Sequence, residues 1–105
     1  MNSLIRQTVP VMVVFNLPEI WSPDFVQTIP AQRALINELL AEGVVQSYSI
    51  SADRTKVWMV LTVENDQYAV EAVISKFPIL DFVDYAWEPL LLTNDSSSLM
   101  QFSLN

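Results

Sequence analysis

A chain of 105 residues with 12 acids, 5 bases, no cysteine and no histidine excludes much before any pattern is read. One domain is expected at this length, large enough for a modest core. Disulfides, thiolate metal sites, cysteine nucleophiles and histidine-based triads cannot be built. The net charge of −7 repels phosphate backbones, with only Arg6, Arg33, Arg54, Lys56 and Lys76 to offset it. Nucleic acid is therefore not an expected partner. Hydrophobic residues make up 51% of the chain and charged residues 16%, where typical domains carry about 25% charged residues. That excess of apolar surface predicts an obligate homodimer or higher homo-oligomer. No apolar run approaches the roughly 18 residues of a membrane helix, and no small-residue cleavage site follows the N-terminal run. A cytoplasmic protein with no membrane partner is the expectation.

In chain order, residues 1–8 are a polar lead-in. Val9 to Phe15 reads VPVMVVF, a short β-branched run without alternation. This predicts a central strand buried on both faces, with Pro10 at its start because proline has no amide donor. Asn16-Leu17-Pro18 ends it. Ser22-Pro23-Asp24 then supplies a cap, a first-position proline and a first-turn acid, and the helix should run to Glu42 before Gly43, the chain's single glycine. Phe25, Ile29, Ile36, Leu39 and Leu40 form its apolar stripe. The stripe keeps its phase across Pro30, which predicts one kinked helix and not two. Trp21, just before the cap, reads as a packing staple.

Val44 to Ser51 and Lys56 to Glu64 form a hairpin around which the other segments are placed. Its loop, Ala52-Asp53-Arg54-Thr55, lacks glycine and so suits a longer connection than a two-residue turn. In the first strand Gln46, Tyr48 and Ile50 should alternate with Val45, Ser47 and Ser49; in the second, Trp58 and Val60 should face away from Val57, Met59 and Leu61. Asn65-Asp66 opens a second helix to about Lys76, with Val70, Val73, Ile74 and Phe77 as its stripe. Ile79 to Trp87 is predicted as the fourth strand. Residues 92–105 form a tail whose Leu99, Met100, Phe102 and Leu104 predict packing on the domain, residues 1–91, or on a partner subunit.

The order strand, helix, strand, strand, helix, strand predicts an α+β ferredoxin-like βαββαβ sandwich. Its antiparallel four-stranded sheet should carry both helices on one face. The other face, with Met12, Val14, Trp58 and Val60, is expected to meet a second copy, leaving a pocket between the two sheets. Asp84, with Glu88 on the same face, is the candidate catalytic group: desolvation between sheets would suit it to acid or base work. The plain alternative is that these acids are solvated or paired with Arg6 or Arg54. Tyr48, Trp58, Met12, Arg54 and Tyr85 are the candidate ligand-contacting residues. Such rings also serve as core or interface anchors, and Arg54 as part of a solvated turn. No helix carries paired acids at metal-site spacing, and one glycine cannot make a phosphate loop.

The strand ending Asn16-Leu17-Pro18, the helix closing Leu39-Leu40-Ala41-Glu42-Gly43, the apolar strand Val57 to Val63 and the segment Phe77 to Asp84 together resemble the muconolactone isomerase-like family. The resemblance spans about Val9 to Leu91, with Pro78 and Asp84 in the matching places. It implies a close-packed oligomer without cofactor, and an isomerase that shifts a double bond in a lactone by proton transfer. The family tends to carry bases and histidine on the first strand and hairpin. Here Val9 to Phe15 and Val44 to Ile50 hold none, so a carboxylate would fall to Arg33, Arg54 or Lys56. Two functions stay open: a pocket protein with Asp84 moving a proton, and a non-catalytic oligomeric binding or scaffolding module.

Overall fold

The structure is a computed structural model that describes residues 8–64 and 66–91. The proposed tail, residues 92–105, lies outside them, as do Asn65 and residues 1–7. The element order is β1 (Thr8–Asn16), α1 (Pro23–Ala41), β2 (Val45–Ile50), β3 (Lys56–Glu64), α2 (Gln67–Ile74) and β4 (Asp84–Pro89), with a 3₁₀ turn at Leu80–Phe82. The strands form one antiparallel sheet in the order β2-β3-β1-β4. This is the ferredoxin-like α+β arrangement that the alternation of elements requires.

Alternation along β1 decides what lies inside. Val11, Val13 and Phe15 are buried, and they stand opposite Leu61, Met59 and Val57 of β3, which are buried too. Phe25, Ile36 and Leu39 of α1 and Val70 and Ile74 of α2 join the same core. Both helices thus cover one face of the sheet. Val14 and Met12 point to the other face, in register with Trp58 and Val60. β1 is central, as its run of β-branched residues requires, but among the described residues only one of its faces is fully covered.

The helix ends follow from local chemistry. Ser22 Oγ accepts from the Phe25 amide at 3.2 Å, and Pro23 takes the first position, where its missing N–H costs nothing. At the other end the Val44 amide donates to Leu39 and the Gly43 amide to Leu40, the paired bonds of a Schellman stop. Gly43 sits at φ 79°, open to glycine at no steric cost. α1 runs unbroken through Pro30. Asp66 caps α2 by accepting from the Tyr68 amide at 2.7 Å.

Two local readings are corrected. β2 contains a bulge between Val45 and Ser47, so Val45 joins Tyr48 and Ile50 on the helix-covered face instead of alternating with them. An extra residue in one strand shifts the side-chain phase, which simple alternation cannot anticipate. The fourth strand begins at Asp84 and not at Ile79. After Pro78 the chain first makes a 3₁₀ turn closed by Phe82 N–H to Ile79 C=O, 2.9 Å. The Ile79 amide is taken by the side chain of Gln32, so this segment has no need of a sheet partner.

Candidate functional site

The main cleft lies between α1 and the sheet, on the face the helices cover. It has a volume of about 390 Å³. Phe15, Phe25, Ile36 and Met59 are buried around it, while Tyr48 is half-buried and Ile50 exposed toward the opening. Trp21 packs edge-on against Phe25 with ring centroids 5.2 Å apart, and Phe25 meets Phe82 at 5.7 Å, so one wall is aromatic. Aromatic contacts of this kind hold a wall in place by burial and ring geometry together.

Three polar side chains interrupt this lining: Gln32, Arg33 and Tyr48. Gln32 is buried, and its Oε1 accepts from the Ile79 amide at 3.3 Å. That bond fixes the amide and ties α1 to the turn before β4. Arg33 is exposed and is the single charged residue among the described cleft residues. The helix positions three and four residues to either side of it, Ile29, Pro30, Ile36 and Asn37, hold no acid to neutralise it.

The candidate residues named from sequence do not meet in one place. Met12, Trp58 and Asp84 lie on the open sheet face, where Val14 stands opposite Trp58 and Asn16 stands opposite both Lys56 and Asp84. Asp84 is exposed. Tyr48, opposite Met59, and Tyr85, opposite Phe15, lie on the helix-covered face. Of the set, Tyr48 alone lines the main cleft. Among the described residues the open face carries a shallow groove of about 310 Å³, lined by Met12, Val14, Ala86, Trp87 and Glu88.

Tyr85 has a partner of its own. Its hydroxyl donates to Glu71 Oε1 at 2.6 Å, and Trp87 Nε1 donates to Glu71 Oε2 at 2.9 Å. One carboxylate on α2 therefore holds two rings of β4. The hydrogen bond to Glu71 pushes the Tyr85 phenol above its ordinary value, with desolvation and the neighbouring charge acting in the same direction.

Arg54 lies in the hairpin loop at φ 64°, left-handed backbone for a side chain. Beside it the Asp53 carboxylate accepts from the Ser51 and Thr55 hydroxyls, each at 2.7 Å, and from the Thr55 amide at 3.1 Å. These bonds hold the Asp53 carboxyl below its usual range, the Ser51 hydroxyl contributing most. They organise the loop without glycine.

Gln32 was legible and overlooked. It falls on the stripe three residues after Ile29 and four before Ile36, and a polar residue in that register is a buried polar group in waiting. Glu71 carried no such signal, since its partners arrive only when β4 pairs with β1. Among the described residues no group of acids is arranged to hold a metal ion, and no helix is long and apolar enough to cross a membrane. Compared with known protein families and with curated proteins, the chain matches none.

Proposed function

We propose that the chain binds a small organic molecule in the cleft between α1 and the sheet, with an apolar body against Phe25, Ile36 and Met59 and an anionic end at Arg33. The observation that carries this reading is a cleft of about 390 Å³ whose wall is apolar except for Gln32, Arg33 and Tyr48. Ligand sites of this size combine a greasy lining with a few polar groups that set orientation. The resemblance to the muconolactone isomerase-like family supports a pocket-bearing protein of this fold. Binding is favoured over proton transfer. No carboxylate lines the cleft among the described residues, and Asp84 is exposed on the opposite face of the sheet.

The test is a titration with small aromatic and alicyclic monocarboxylates and their uncharged amides, following the Trp21 indole N–H signal by NMR. Carboxylates should shift it in a saturable way. Arg33→Gln should weaken the carboxylates about tenfold, the worth of one exposed charge-assisted contact, and leave the amides unchanged. If no compound of either kind moves Trp21, the cleft is not a binding site for this class.

A further inference from the structure

Among the described residues Gln32 is the buried polar side chain, 9% exposed on the inner side of α1. Its Oε1 accepts from the Ile79 amide at 3.3 Å. An N–H can be met only by an acceptor, so that bond decides which way the Gln32 amide lies. Its nitrogen is left facing away from the turn before β4. No described residue accepts from that nitrogen. Nor is it sealed off, because no side-chain nitrogen or oxygen among the described residues is both closed to solvent and without a partner. The opening that Gln32 lines is the cleft between α1 and the sheet. Its two N–H donors therefore face a space walled mostly by carbon. Tying α1 to the turn needs only the oxygen. Donors left over in an apolar wall cost free energy unless something polar meets them.

We infer that Gln32 sets the specificity of the cleft, its Nε2 donating to a carbonyl oxygen carried on the apolar body of the ligand. This rests on the reading of that cleft as the ligand site. Residues 32 and 33 diverge by about 100° around the helix axis, which takes the amide inward and leaves the exposed Arg33 at the rim. The ligand class is then narrower than a monocarboxylate. It is a ring or short carbon frame with a carboxylate at one end and a ketone-type oxygen toward the other.

The selection follows from what each group can exchange. A ligand with carbon at that point strips water from the donors and puts nothing in its place. A group that only donates, such as an amine, sets N–H against N–H and is refused. Tyr48 does not make this distinction, since a hydroxyl both donates and accepts. Gln32 stands on a helix with its oxygen already held by Ile79, so its donors are in position before the ligand arrives.

Two ligands of one shape read this out: para-acetylbenzoate, which has the oxygen, and para-isopropylbenzoate, which has a methyl in its place. Each is titrated into the isotope-labelled full chain, following the Trp21 indole and the Gln32 side-chain amide together by NMR. The acetyl compound should bind about fivefold more tightly, the worth of one neutral hydrogen bond made in place of water. It should move the Gln32 Nε2 protons downfield, and the isopropyl compound should not. In Gln32→Met, similar in shape but without a donor, the acetyl preference should vanish. Should that variant fail to fold by circular dichroism, the wild-type amide shift alone decides. Equal affinities and a Gln32 signal that does not move overturn the inference while the cleft remains a ligand site. A Trp21 signal indifferent to both compounds removes the cleft reading, and this inference with it. A preference that survives in Gln32→Met belongs to another donor and overturns the role of Gln32.

Discussion

The bond from Tyr85 to Glu71 shows what single side chains contribute here and how pH should report it. The phenol is held above its ordinary value, so the folded chain keeps a proton that the unfolded chain releases once pH passes about 10. The contribution is complete below that pH and is lost as pH rises through the folded value. Wild type should therefore lose urea resistance at alkaline pH more steeply than Tyr85→Phe, the two curves converging as the phenolate forms. At neutral pH the same variant should cost about 0.5 kcal/mol, the low end for a hydrogen bond because the pair is exposed. Parallel curves for the two proteins would remove the bond from the account. None of this was readable from sequence, where Tyr85 stood as a ligand contact. A tyrosine on a strand shows its spacing but not the acid that a helix fourteen residues earlier will bring to it. Gly43 is the opposite case: a lone glycine after Leu39-Leu40-Ala41-Glu42 announces a left-handed stop, and φ of 79° is what the structure has.

At the scale of elements, strong periodicity was legible and exceptions to it were not. β3 spans Lys56–Glu64, the bounds its alternation gives, and of the stripe expected on α1 Phe25, Ile36 and Leu39 are buried and Ile29 half-buried, while Leu40 is exposed. The bulge in β2 and the turn before β4 escaped, because each depends on where backbone groups find partners in the folded chain. Pro30 is the element-scale anomaly that can be tested. It is exposed, so it adds little packing, and it removes an amide from the interior of α1. An interior proline costs up to about 3 kcal/mol relative to alanine, part of it relieved by local bending. Pro30→Ala should therefore raise stability by about 1–3 kcal/mol in urea unfolding. Yet Ile29 and Gln32, which flank it, both line the cleft. Closing the hydrogen-bond ladder at residue 30 acts on both, so the stabilised variant should bind cleft ligands more weakly than wild type. Unchanged affinity would show that the proline has no part in shaping the cleft.

Over the whole molecule, the two faces of the sheet divide the work. Packing of both helices onto Val11, Val13 and Phe15 builds the core, and an incomplete fit between α1 and the sheet leaves the cleft. The composition predicts more apolar surface than one small core needs, and the sequence places a pocket between two copies. The cleft described above lies within one chain, because a helix and a twisted sheet touch along one line and part from each other on either side of it. Hollow space of this kind can be filled from inside. Ile29 is half-buried on the cleft wall, and Ile29→Phe adds a ring where there is room for it, without the strain of overpacking a dense core. The variant should melt at the same temperature as wild type or higher. A carboxylate that raises the wild-type melting temperature by binding the folded state should no longer do so. The two readouts separate the possibilities: a lowered melting temperature means that the wall was already closely packed, and a preserved ligand shift means that the molecule binds somewhere other than between α1 and the sheet.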